Sequence, residues 1–276
     1  EVVHSVWAMW HQMQEGDFVQ TYTEKGFRGN DKEWESMCIP FGEDAKICLN
    51  GVIDRVDLCS LPGEELIKII DYKSSDSQDL LLAKVYYGLQ MQLLTYLEAA
   101  KEMVEKEHKG KEAVPAAMLY YAIKEKNLDW KPESEEEYEK RVLDSMKCKG
   151  YVNEEPEIIG HLDKSVVNGG ELIPGQKSGV VPVAVDKKGL LKKNSGALST
   201  KDFETLIAHT KEKMKECGKA ILDGKIEAIP YVYEDNDGCT YCPYGSVCGH
   251  ESKKDGVREM KKMSDDEVWE ALYGDD

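Results

Sequence analysis

The sequence predicts an α/β fold built around one sheet, on three observations. Apolar residues recur at helical spacing near the start. Two Val- and Ile-rich runs are joined by a Pro-Gly turn. A long amphipathic helix then leads into a nearly uncharged run of strand length.

In order, residues 2–18 predict a helix with Val3, Trp7 and Trp10 on its apolar stripe and Phe18 extending it. The polar, Gly-containing stretch Glu24–Glu35 reads as a connection. Ile47–Leu58 and Leu66–Lys73 read as strands, and Pro62-Gly63 between them makes a hairpin. Val85–Lys106 reads as one helix with Leu89, Leu93, Leu97, Ala100 and Val104 on a stripe. Val114–Ile123 reads as a strand buried on both faces. Glu133, Glu135, Glu136 and Glu137 open a short acidic helix, and Val180–Val185 is a β-like run. A second long helix is expected over Thr200–Leu222, capped by Ser199 with Asp202 and carrying Phe203, Leu206, Ile207, Met214 and Ile221. Ser264 with Glu267 caps a last helix over Glu267–Tyr273. This order predicts one domain over residues 1–276: a core at 1–130, an insertion at 131–198, a return helix and cysteine loop at 199–250, and a tail at 251–276.

Composition narrows the function. With 36 Lys and Arg against 53 Asp and Glu, the net charge is −17, which argues against non-specific nucleic-acid binding through a broad basic face. Lys187, Lys188, Lys192 and Lys193 read as a solvated loop. The longest stretches free of charged residues, such as Val2–Gln14, are 13 residues, short of the ~20 a membrane span needs. No basic segment followed by an apolar run opens the chain, which begins at Glu1 and reads as a piece of a longer protein. Eight cysteines, five scattered and three clustered, suggest a reducing compartment, hence the cytoplasm, with one ligand cluster.

The most informative segment is Gly51-Val52-Ile53-Asp54-Arg55-Val56-Asp57 followed by Ile69-Ile70-Asp71-Tyr72-Lys73. Alternate residues of a strand share a face, so Asp71 and Lys73 project together, roughly 7 Å apart. Asp54, on the preceding strand of the hairpin, can reach the same point. Two carboxylates beside a lysine suit a hard divalent cation, Mg²⁺ or Mn²⁺, and a reacting phosphate. Gln92 and Tyr96 lie four apart on one face of the next helix, and His4 lies on a helix that can pack over the same site.

The order His4, Asp54, Asp71-x-Lys73, Gln92-x-x-x-Tyr96 resembles the RecB-like branch of the PD-(D/E)xK nuclease superfamily. The resemblance implies a restriction-endonuclease-like α/β fold, a mixed central sheet flanked by helices. It implies that His4, Asp54, Asp71 and the backbone carbonyl of Tyr72 bind the catalytic metal. It also implies that Lys73 positions water and stabilises the transition state, and that Gln92 and Tyr96 orient the site and the DNA strand.

Cys239, Cys242 and Cys248 form a Cys-x2-Cys-x5-Cys run in which three thiolates suit a metal or cluster, and His250 makes a zinc Cys3His set available as an alternative. RecB-like nucleases with a four-iron four-sulfur cluster place three cysteines after the core and one before the His motif. The chain resembles most closely the nuclease region of the AddB family of helicase/deoxyribonucleases, through Ser145-Met146-Lys147, Lys187-Lys188-Gly189 and the cysteine run. Cys38 follows His4, so the cluster is expected to lack one ligand in this chain and to be incomplete or absent. The resemblance implies a DNA exonuclease acting on unwound single strands in double-strand-break repair and recombination, paired with an AddA-like helicase-nuclease subunit. The alternatives are a catalytically silent scaffold or DNA-end clamp, and a zinc-binding interaction module.

Overall fold

The computed structural model describes residues 2–29, 34–42, 44–75, 79–123, 131–132, 134–251 and 255–274. Glu133 and residues 30–33 of the predicted connection lie outside them. The chain divides into two compact units. One comprises Glu1–Cys38, Cys48–Leu80 and Met91–Ala208, and the other Ile39–Ile47, Leu81–Gln90 and His209–Asp276.

The first unit carries the expected architecture, a mixed central sheet flanked by helices. It opens with helix α1 (Val2–Gln14) and edge strand β1 (Val19–Phe27). The chain then forms a small two-stranded sheet, β2 (Met37–Phe41) and β3 (Ala45–Leu49), whose residues 39–47 belong to the second unit. The main sheet continues with β4 (Gly51–Ser60) and β5 (Glu64–Lys73). After α2 (Leu82–Tyr86), which belongs to the second unit, the first unit resumes with α3 (Gln92–Glu107) and β6 (Glu112–Ala122). Then come α4 (Glu135–Ser145), β7 (Lys149–Asn153), α5 (Pro156–Leu162), the short pair β8 (Val167–Asn168) and β9 (Glu171–Leu172), and β10 (Ala197–Leu198). The sheet order is β1-β4-β5-β6-β7-β10. β4 and β5 form the predicted antiparallel hairpin, while β5 and β6 run parallel, as a helical crossover requires. Residues 113–121 of β6 are buried on both faces, as their uncharged run predicts.

Several elements differ from the sequence reading, each for a local reason. On α1, Val3 and Trp10 are 77% and 57% exposed, and the buried residues are Ser5 and Ala8. Small residues let the helix approach the sheet: Ser5 Oγ donates to the Ile123 carbonyl at 2.8 Å, and Tyr121 OH donates to the Ser5 carbonyl at 3.1 Å. Phe18 is buried, but beyond the helix end. The expected helix Val85–Lys106 is broken. Gly88, at φ 75°, ends the short α2, so Leu89 lies outside any helix and Gln92 opens α3. Ile47–Leu58 divides between β3 and β4.

Parts of the expected insertion belong to the sheet itself, since β7 pairs antiparallel with β6 and β10 pairs parallel with β7. Val180–Val185 is buried without forming a strand. Ser178 Oγ accepts from the Val180 and Val181 amides and donates to Asp163, so local bonds replace a ladder. α4 carries the capping box of Ser134 and Glu137. Gly150 sits at φ 130°, and a Cβ there would lie 2.3 Å from the Met118 carbonyl oxygen. Gly150→Ala is therefore expected to destabilise the chain by about 1–3 kcal/mol in urea unfolding.

Cys38 and Cys48, read as scattered thiols, are joined by a disulfide across the β2–β3 pair. α6 (Thr200–Leu222) has the expected Ser199–Asp202 cap, with Phe203, Leu206, Ile207 and Met214 buried. Ile221 is 73% exposed, so the buried stripe ends before it.

In the second unit, α2 packs against α8 (Asp265–Tyr273), capped by Ser264 and Glu267 as expected. A small sheet orders β12 (Asn236–Asp237), β11 (Tyr231–Tyr233) and β13 (Arg258–Met260), and α7 (Gly245–Cys248) lies in the cysteine loop. Among the described residues, no helix is long and apolar enough to cross a membrane.

Candidate active site

The β4–β5 hairpin sets the site. Arg55 pairs with Ile70 across the antiparallel ladder, so the next pair outward is Asp54 with Asp71. Residues opposite one another share a face, and alternation adds Lys73 to it. The sequence run thus brings Asp54, Asp71 and Lys73 to one point. The Tyr72 amide donates to Asp54 Oδ2 at 2.8 Å, and Lys73 Nζ lies 2.5 Å from Asp71 Oδ2. From α3, Gln92 Oε1 accepts from Lys73 Nζ at 3.1 Å, while Gln92 Nε2 donates to Tyr96 OH at 2.9 Å. The break at Gly88 makes this chain of bonds possible by starting α3 at Gln92. The Tyr96 ring packs edge-on against Phe27, 6.0 Å between centroids.

Asp71 is only 2% exposed, and its Oδ2 is buried against the Lys73 ammonium. Burial pushes its carboxyl above the ordinary value. The Lys73 ammonium opposes that shift and the neighbouring Asp54 charge adds to it. Tyr120, opposite Asp71 on β6, lies under Lys73, with 5.1 Å from Nζ to its ring centroid. Burial and the Asp71 charge push its hydroxyl up to about 12. Sequence reading missed Tyr120, which looks like a core residue of an apolar strand.

The opposed carboxylates of Asp54 and Asp71 are hard oxygen donors, so this point fits a divalent cation such as Mg²⁺. The larger ligand sets expected from sequence are not gathered. Among the described residues, no three His, Cys, Asp or Glu side chains come together as a metal-holding group. His4 instead lines a cleft with Val3, Trp7, Glu135, Tyr138, Glu139 and Val142, because α1 turns Ser5 and Ala8 toward the sheet. Cys239, Cys242 and Cys248 are exposed thiols that do not converge, with or without His250. Their loop is shaped by backbone bonds: Asp237 accepts from the Cys239 and Thr240 amides, and the Cys242 amide donates to the Cys239 carbonyl.

The opposite face of the hairpin holds a second charged group whose role the sequence reading did not assign. Arg55 donates in bidentate fashion to Asp57, Nε to Oδ1 at 2.7 Å and Nη2 to Oδ2 at 2.8 Å, and Lys68 Nζ lies 2.9 Å from Asp57 Oδ2. Asp57 is fully buried and Arg55 is 3% exposed. Burial would raise the Asp57 carboxyl, but Lys68 and Arg55 outweigh it and hold it below its ordinary value. Burial would likewise lower the Arg55 guanidinium, which Asp57 and the Tyr72 hydroxyl instead hold above its ordinary value. The available signal was the i, i+2 spacing of Arg55 and Asp57, which puts opposite charges on one strand face.

The PD-(D/E)XK nuclease superfamily profile matches residues 1–249. The chain is 34% identical over 270 residues to an ATP-dependent helicase/deoxyribonuclease subunit of Lachnoclostridium phytofermentans, covering 96% of this chain and 22% of that protein. It is 32% identical to the same subunit of Thermoanaerobacter sp. (strain X514), over 98% of this chain and 23% of that protein. It is 33% identical to that of Alkaliphilus metalliredigens, over 97% and 23%. The chain thus spans about a fifth of the length of these relatives. Nucleases of this superfamily generally use divalent metals, in keeping with the opposed carboxylates and the mixed sheet that carries them. On the match over residues 1–249, this chain belongs to the PD-(D/E)XK nuclease superfamily.

Proposed function

We propose that the chain is the metal-dependent deoxyribonuclease region of a helicase-nuclease complex. It hydrolyses phosphodiester bonds of unwound single strands as an exonuclease in double-strand-break repair and recombination, alongside an AddA-like helicase-nuclease subunit in the cytoplasm. The observation that carries this reading is the meeting of Asp54, Asp71 and Lys73 on one sheet face, with the Asp71 carboxylate buried.

In this reading Asp54, Asp71 and the Tyr72 carbonyl would hold Mg²⁺ or Mn²⁺. The bound cation supplies Lewis acidity and a water of lowered pKa. Lys73 carries the ammonium that orients the attacking water and offsets negative charge growing on the phosphate. Gln92 fixes that ammonium through its Oε1 and is itself fixed by Tyr96. His4 contributes from α1 as a further ligand only if its side chain leaves the cleft it lines. Cys239, Cys242 and Cys248 would supply three thiolates to a four-iron four-sulfur cluster only if their loop draws them together, and the cluster would then staple that loop. Iron and sulfide analysis of protein purified without oxygen tests this, and zinc alone would refute it. A strand delivered by a helicase needs little affinity from the nuclease, which reconciles the activity with a charge of −17.

The test is cleavage of end-labelled single-stranded DNA with Mg²⁺ or Mn²⁺. Cleavage should stop on chelation and return with metal. Gln92→Ala should lower kcat about ten- to a hundredfold, because Lys73 loses its positioning partner. DNA binding with no cleavage under any divalent metal, in the full complex as well as the chain, would replace this reading with a DNA-end clamp.

A further inference from the structure

A pocket of about 290 Å³ lies beside the start of β7, lined by Lys147, Lys149, Lys177, Ser145, Asp144 and Asn194 together with residues 182–184. Its position follows from the ladder. Asp71 pairs with Tyr120, and Tyr120 with Lys149, so Lys149 shares the face and the sheet end of the carboxylates. Two strand spacings, about 10 Å, separate it from Asp71. A stacked nucleic-acid strand covers that distance in about three nucleotides.

Three ammonium groups gather here in a chain of net charge −17. Lys149 pairs with Asp79 at 2.9 Å, and Lys177 lies 3.7 Å from Asp144. Lys147 Nζ donates to the Ser178 carbonyl at 2.7 Å, with the Asp144 and Asp163 carboxylates as its opposing charges. Burial and the Lys177 ammonium hold Lys147 down to about 8. Like charges held together at such a cost are relieved by an anion between them. Of the charged residues that line the pocket, three are lysines and one, Asp144, is a carboxylate, and Ser145 and Asn194 add polar groups.

We propose that the pocket lined by Lys147, Lys149 and Lys177 binds a backbone phosphate of the DNA single strand whose scissile diester lies at Asp54 and Asp71. This rests on the active-site reading above, and it deepens that reading by giving the strand a direction across the ends of β5, β6 and β7. A locally built phosphate subsite also explains how a strongly acidic domain holds a polyanion in register.

The experiment compares binding of fluorescein-labelled dT2 and dT12 by fluorescence anisotropy, with Ca²⁺ in place of Mg²⁺, across a salt series. The wild-type chain should bind dT12 at least tenfold more tightly than dT2. The double variant Lys149→Gln, Lys177→Gln should lose about tenfold in dT12 affinity, leave dT2 unchanged, and flatten the salt dependence by about 0.7 for each phosphate it no longer engages. Lys187→Gln with Lys188→Gln makes the same charge change on an exposed loop and should leave dT12 affinity unchanged. Inorganic phosphate at millimolar concentration should compete only weakly, because the subsite is filled by a tethered phosphate; full competition would instead make it a free-phosphate site. The pocket is overturned if both double variants weaken dT12 equally, if dT2 and dT12 weaken together, or if neither changes. A thermal melt of the variants within a few degrees of wild type excludes unfolding as the cause. Wild-type cleavage with an unchanged Lys149/Lys177 variant removes the pocket alone. Absence of cleavage with lysine-dependent dT12 binding removes the activity alone.

Discussion

Replacing Asp71 by Asn should abolish metal-dependent cleavage, lowering kcat by roughly 10²–10³-fold or more, while leaving the chain as stable as before or more so. The two effects have one cause. Asp71 is a buried carboxylate beside a second carboxylate, and its burial outweighs the Lys73 ammonium, so its charge is unfavourable to the fold until a cation binds. Asparagine keeps the shape and removes the charge. The stability effect has a pH signature. A carboxyl raised above its ordinary value of 3.8 keeps its proton in the folded chain after the unfolded chain has released it. Without metal, its contribution is therefore favourable below 3.8 and is lost as pH rises through the raised value. Asp71→Asn should remove that slope in urea unfolding. Lys73→Ala should also stop cleavage but should leave metal binding intact, which separates ligand from positioned ammonium.

Asp57→Ala should be the most destabilising substitution in the hairpin, by about 3–5 kcal/mol. It strands the guanidinium of Arg55 and the ammonium of Lys68 in a buried setting, where their side chains are 4% and 11% exposed. The sign with pH is opposite to that of Asp71. Asp57 is held below its ordinary 3.8, so its contribution is present above that value and is lost as pH falls through the lowered one. Urea unfolding at pH 7 and across the acid range reads both effects. The network also touches the site, because Arg55 bonds Tyr72 and the Tyr72 amide holds Asp54. Any folded Asp57→Ala protein should therefore cleave poorly as well.

The geometry of the candidate site was legible in the sequence because strand alternation and a Pro-Gly turn are local rules. They put Asp54, Asp71 and Lys73 on one face before any tertiary contact is considered, and helical spacing did the same for Gln92 and Tyr96. The capping boxes at Ser199 and Ser264 were legible for the same reason. What failed depended on partners. β1 reads as a polar connection because it is an edge strand with most side chains exposed. β7 is hidden by Gly150, whose positive φ only the crossing of β6 explains. The buried face of α1 was misread because large apolar residues outweigh Ser5 and Ala8 in any stripe count, whereas the sheet selects small ones. The disulfide of Cys38 with Cys48 required knowing that β2 and β3 pair.

Crystals of the chain soaked in Mn²⁺ and measured at the manganese absorption edge locate the cation directly. The account predicts an anomalous peak bonded to carboxylate oxygens of both Asp54 and Asp71, and its disappearance in Asp71→Asn. A peak bonded elsewhere, or one that persists unchanged without the Asp71 carboxylate, would contradict it.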